Sequence, residues 1–166
     1  MENHYNYVFD HITSTYNFTT KNNILYRIAF VVDERFSELS GEEIPNVFQL
    51  VVEKASEETE PYDSKVSKTI ENIIERFFRK IENSLVYVCS DEDKKGKIRH
   101  DIFDRWYKKS EFKESIIKMD NIIKINISKL ETLRLYTSFM FHKENSSYEQ
   151  LVGIYNQIEQ ILNSDK

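Results

Sequence analysis

Leu85-Val86-Tyr87-Val88-Cys89 is an unbroken apolar run, short for a helix and apolar on both faces of a strand. Such a segment needs cover on both sides, which predicts a strand near the centre of a sheet. The segments that flank it are of the kind that give cover. After Pro61, Asp63 or Ser64 can act as N-cap, and Val66, Ile70, Ile73, Ile74, Phe77, Phe78 and Ile81 form one wide apolar stripe. This predicts a helix laid on the sheet and ended by Asn83. Beyond Cys89, the polar stretch from Ser90 to Gly96 leads into a second helix, with Ile98, Ile102, Phe103, Trp106 and Tyr107 on one side. The stripe places Trp106 in the core.

The remaining periodicities are mostly those of strands. Tyr16, Phe18 and Thr20 share one face, and Lys21-Asn22-Asn23 suits a tight turn because asparagine tolerates left-handed backbone. Residues 25–32 alternate, and Phe48, Leu50 and Val52 alternate again beyond Pro45, which predicts an antiparallel three-stranded meander. Ile123, Ile125 and Ile127 followed by Leu133, Leu135, Phe139 and Phe141 predict a hairpin. A last helix is expected from Ser147, with Gln150 completing a capping box and a stripe of Tyr148, Leu151, Val152, Tyr155, Ile158 and Leu162. The order is βββαβαββα, an α+β fold with an antiparallel-rich sheet and helices packed on it. Residues 1–15 lack clean periodicity and read as an arm that docks on the body or on a neighbouring subunit, while residues 16–166 form a single domain.

Composition narrows the chemistry. Cys89 is the only cysteine, so the chain has no internal disulfide and no CxxC pair, which fits a reducing, cytoplasmic setting. At the end of an apolar strand Cys89 reads as packing. No export signal and no run long enough to span a bilayer is present, so no membrane partner is expected. Gly-rich phosphate loops, nucleophile elbows and HExxH are all missing, and His4, His11, His100 and His142 share no metal-ligand spacing. No catalytic residue, metal ligand or cofactor is therefore assigned. The net charge of -5 is uneven: residues 33–63 hold ten acids and two bases, residues 94–109 seven bases and two acids. That asymmetry suits a solvated face, or a protein or nucleic-acid partner. Self-association is compatible with the sequence as well.

The loop after the apolar strand is the candidate binding loop, with Asp91, Asp93, Lys94, Lys95, Lys97 and Arg99 as its residues. Asp91, Asp93 and Gly96 match the opening of a calcium loop, but Lys95 and Ile102 stand where further ligands belong. Two readings stay open. Asp91 and Asp93 gather Mg²⁺ or Mn²⁺ for phosphodiester chemistry, or they cap the following helix and one of them pairs with Arg99. Downstream, Trp106 and Tyr107 beside Arg105, Lys108 and Lys109 offer rings for stacking on single-stranded bases and cations for phosphate.

Tyr16-x-Phe18-x-Thr20, Thr69-Ile70-x-x-Ile73-Ile74-x-x-Phe77-Phe78, and Cys89 followed by Asp93, Arg99, Phe103 and Trp106 give the chain a pattern that resembles an uncharacterised family of small bacterial α+β proteins, a domain of unknown function. The Asp-Gly step of that pattern is Asp93-Lys94 here, with Gly96 two residues later. The resemblance implies a shared fold and a shared loop. The expectation for function is a small non-enzymatic binding or regulatory module. The alternatives are a metal-dependent nuclease or phosphohydrolase on Asp91 and Asp93, and a nucleic-acid binder on residues 94–109.

Overall fold

In a computed structural model, which describes residues 3–59 and 61–164, the apolar run becomes β5 (Ser84–Ser90), an inner strand of a seven-stranded sheet. The other strands are β1 (Val8–Asp10), β2 (Thr15–Thr19), β3 (Leu25–Val32), β4 (Val47–Lys54), β6 (Ile116–Asn126) and β7 (Thr132–His142). The helices are α1 (Arg35–Ser40), α2 (Ser64–Phe77), α3 (Gly96–Lys109) and α4 (Tyr148–Ser164), with a 3-10 turn at Phe112–Glu114. Across the sheet the strands run β1-β2-β3-β4-β5-β7-β6, antiparallel throughout except for the parallel pair β4 and β5. The fold is α+β, and the meander of β2, β3 and β4 pairs in the expected antiparallel sense.

Two apolar layers flank the sheet. On one face, Ile70, Ile73 and Ile74 of α2 and Phe103 of α3 pack on Phe18, Ile28, Leu50, Leu85 and Met140. On the other, Phe36 of α1 and Leu151, Tyr155 and Ile158 of α4 pack on Val47, Val86, Ile123, Phe139 and Phe141. Leu85 and Val86 are buried against opposite layers, which is why the run has no polar side.

Several expectations need correction. The second helix is amphipathic, but Ile98 is 59% exposed and Trp106 is only half-buried. The indole lines an open groove between α2 and α3 and so is not enclosed by the core. Helix α2 stops at Phe77, so Ile81 falls outside it and is exposed, yet Asn83 does serve the terminus by donating from Nδ2 to the Phe77 carbonyl at 2.9 Å. Asp63 is the N-cap, accepting from the Lys65 N–H at 2.9 Å. At α4, Gln150 reaches Glu42 at 3.5 Å. The side chain of Leu162, residues 1 and 2 of the arm and residues 165–166 lie outside what is described. Within the arm, Val8–Asp10 add a strand beside β2, and Tyr5 and Tyr7 pack on the α2 side of the core.

Candidate functional site

The loop after β5 folds as a clasp. Asp91 Oδ1 accepts from the N–H of Gly96, the first residue of α3, at 3.2 Å, and the Lys94 N–H closes a turn on the Asp91 carbonyl at 3.0 Å. Asp93 Oδ1 accepts from the Lys95 N–H at 3.0 Å, and both Asp93 oxygens take the Arg99 guanidinium, at 2.7 and 3.0 Å. The same guanidinium donates to the Ser90 carbonyl at 2.7 Å, tying strand, loop and helix together. The Arg99 hydrogen bonds hold the Asp93 carboxyl down to about 2. Gly96 is needed sterically, because a Cβ there would sit 2.6 Å from the Ser90 carbonyl oxygen. Lys94 has φ +60°, the left-handed conformation that favours glycine.

Of the candidate residues, Asp91, Asp93 and Arg99 therefore come together, while Lys94 and Lys95 are exposed on the loop. Lys97 points elsewhere, to an ion pair with Asp101 at 2.6 Å and to a cleft over β6. No group of three or more His, Cys, Asp or Glu side chains among the described residues is disposed to hold a metal ion. Burial pushes the Cys89 thiol up, which disfavours thiolate chemistry.

A denser polar network lies where α3 crosses β6 and β7. Ser138 is fully buried, donates from Oγ to Asp120 Oδ1 at 2.8 Å and sits 3.0 Å from His100 Nε2. With its proton on Asp120, the hydroxyl accepts from His100, so Nε2 carries the ring proton. A serine nucleophile needs the opposite polarity and an open path, and Ser138 has neither. Lys118, with 3% of its side chain exposed, joins Asp120 at 2.6 Å to Asp104 at 2.9 Å, and Asp104 also holds Lys108. Burial alone would raise the Asp120 carboxyl, but bonds from His100, Lys118 and Ser138 and the Lys118 charge hold it far below the ordinary carboxylate range. On the opposite face Tyr155 Oη lies 2.8 Å from Thr137 Oγ1, and burial pushes its phenol up to about 12. These networks fix both helical layers to β6 and β7.

Among the described residues strand β6 is an edge, paired with β7 alone. The Ile127 N–H donates to the Glu131 carbonyl and the Lys143 N–H to the Ser115 carbonyl, so the ladder uses the odd-numbered residues of β6. Backbone groups of the even-numbered residues face outward. Side chains close the two ends of this open row. Tyr107 Oη donates to the Ile116 carbonyl at 2.6 Å, and the Asn163 carboxamide donates to the Lys124 carbonyl at 2.6 Å while accepting from the Asn126 N–H at 3.4 Å. Between them, the Lys118 carbonyl and the outward groups of Asp120 and Ile122 have no strand beside them among the described residues, while the Lys118 N–H turns to the Tyr107 hydroxyl. This window lies between two clefts. On the α3 side, about 600 Å³ is bounded by Ile122, Tyr136, His100, Lys97 and Lys124. On the α4 side, about 550 Å³ is bounded by Asn156, Glu159, Gln160 and Asn163. Both clefts share Asp120, Asn121 and Glu159, so they meet at the edge.

Residues 62–157, more than half of the chain, match the family of unknown function DUF6169. The chain belongs to that family. The DUF6169 match takes in α2, β5, the clasp, α3, β6, β7 and most of α4, and with them the open edge and the α3-side cleft apart from Glu159, whereas Glu159, Gln160 and Asn163 of the α4-side cleft lie beyond it. Strands β1 to β4 and α1 lie outside it. No curated protein and no solved structure matches the chain.

Sequence reading singled out only Lys97 of the residues at this site. His100, Asp120 and Ser138 are far apart in the chain, and only the β6–β7 register and the α3 crossing bring them together. The one available signal was the pair of charged residues, Lys118 and Asp120, in a segment otherwise rich in isoleucine.

Proposed function

We propose that the protein is a non-enzymatic binding module that takes an extended segment of a partner protein as an eighth strand beside β6. The carrying observation is the window that runs from the Lys118 carbonyl through Asp120 to Ile122, open in its backbone groups and flanked by a cleft on each face. An added strand gains main-chain hydrogen bonds from the edge, and its side chains, alternating between faces, enter the two clefts in turn. Ile122, Tyr136 and the His100 ring suit an apolar or aromatic side chain. Glu159 with the carboxamides of Asn156, Gln160 and Asn163 suits a basic one. The partner is thus an extended segment that alternates apolar and basic residues.

The other readings ask more of the structure. Metal-dependent chemistry on the loop requires Asp93 to leave Arg99 and Asp91 to leave the Gly96 N–H. Nucleic-acid binding along residues 94–109 draws on a cationic set in which Lys97, Arg99 and Lys108 are each held by an acid.

A displayed library of short random peptides, selected on the wild-type protein and on Ile122→Pro, tests the proposal. The Ile122 N–H faces outward, so proline there removes an edge donor without removing a bond of the β6–β7 ladder. Selection on wild type should enrich peptides with alternating apolar and basic residues, and their binding should fall by about tenfold or more on the proline variant. Equal binding to both proteins, or a concentration-dependent dimer that the proline abolishes, would rule against a peptide partner.

A further inference from the structure

The groove between α2 and α3 stands apart from the β6 edge and differs from it in chemistry. It encloses about 560 Å³, a volume of the order of ligand pockets. Ile102, Arg105, Trp106 and Lys109 stand at i, i+3, i+4 and i+7 and so share one face of α3. Ser64, Ser67, Lys68 and Glu71 repeat that spacing on the facing side of α2. Trp106 rests edge-on against Phe103, with ring centroids 6.5 Å apart, and the half-buried indole lines the groove. Its Nε1–H has no acceptor among the described residues.

The charges of the groove are sorted in a particular way. Asp63 is turned into the wall, with 6% of its side chain exposed, accepting from Tyr5 Oη at 2.5 Å and from the Lys65 N–H at 2.9 Å. Glu71 is closed on Lys68 at 2.8 Å. Both acids are thereby engaged within the protein. Arg105 and Lys109 are exposed and have no ion-pair partner among the described residues, unlike Lys97, Arg99 and Lys108 of the same helix. An available indole thus lies beside two uncommitted cations in a concave, partly apolar wall.

The geometry points to this groove as a site for a nucleotide unit, its base against Trp106 and its phosphate between Arg105 and Lys109. A flat apolar partner is what a planar base needs, and unpaired cations are what a phosphate needs. A free mononucleotide and one unit of a single-stranded nucleic acid present the same two groups.

Trp106 is the only tryptophan of the chain, so its fluorescence reports the groove directly. The wild-type protein is titrated with adenosine monophosphate, uridine monophosphate, a single-stranded oligothymidylate, adenosine and ribose 5-phosphate. A saturable change with the mononucleotides, or with the oligonucleotide alone, supports the site and tells the free unit from the strand. Binding should weaken with salt and by about tenfold or more in Arg105→Glu/Lys109→Glu. Both positions are exposed, and circular dichroism checks that the variant keeps its helices. Ile122→Pro should leave the titration unchanged, which separates this site from the β6 edge. No saturable change with any probe, adenosine or ribose 5-phosphate binding as well as adenosine monophosphate, or undiminished binding by the charge-reversed variant would overturn the inference.

Discussion

Gly96 shows how one residue sets the geometry of the region after β5. The chain passes so close to the Ser90 carbonyl that a side chain at position 96 has no room, and only this approach lets Asp91 reach the first amide of α3. Gly96→Ala should destabilise the fold by about 1–3 kcal/mol, since backbone must move to admit the methyl group. Urea denaturation checks this, and an unchanged midpoint would mean that the clasp is looser than its contacts indicate. Lys94 illustrates the converse, a residue with a side chain held in left-handed backbone beside a fully engaged aspartate. The composition of the loop announced a cap and an Arg99 partner. That the same contacts leave Asp91 and Asp93 little freedom for a ligand is a matter of distances, which residue types do not carry.

At the level of elements, α3 is held to β6 and β7 through the Lys118–Asp120 network. Asp120 has a folded pKa below its unfolded one, so its ionised form stabilises the fold above about pH 4, and that contribution fades as pH falls toward the folded value. Asp120→Asn should cost about 1–2 kcal/mol near neutral pH, a figure kept modest because 45% of the carboxylate side chain is exposed. The deficit should shrink as wild type is acidified below pH 4, and urea titrations of both proteins across that range check it. Equal stability at neutral pH would show that solvent replaces the carboxylate. Elements with long, regular alternation, an unbroken apolar run or a wide stripe were legible in the sequence, β3, β4, β5, β7 and α2 among them. The three-residue β1 and six-residue α1 carry too few side chains to show a period. The first half of β6 was missed because Ile116-Ile117-Lys118-Met119-Asp120 breaks alternation to place a charged pair beneath α3.

For the whole molecule, the decisive fact is the strand order. Had β6 followed β5 across the sheet, β7 would form the border and the window at Lys118, Asp120 and Ile122 would be filled by a neighbour. Instead β7 inserts between them, β6 becomes the edge, and α3 and α4 place a cleft on each side of it. Sequence periodicity gives the faces of each strand but not its neighbours, so the fold class could be read and the open edge could not. Amide exchange resolved by residue, with and without a peptide from the selection, tests this arrangement most directly. The account predicts that in the free protein the amides of Asp120 and Ile122 exchange much faster than those of Met119, Asn121 and Ile123, and that bound peptide slows the first set toward the second. Slow exchange of the first set in the free monomer, or peptide binding that leaves it fast, would contradict the claim that β6 is the open, strand-accepting edge.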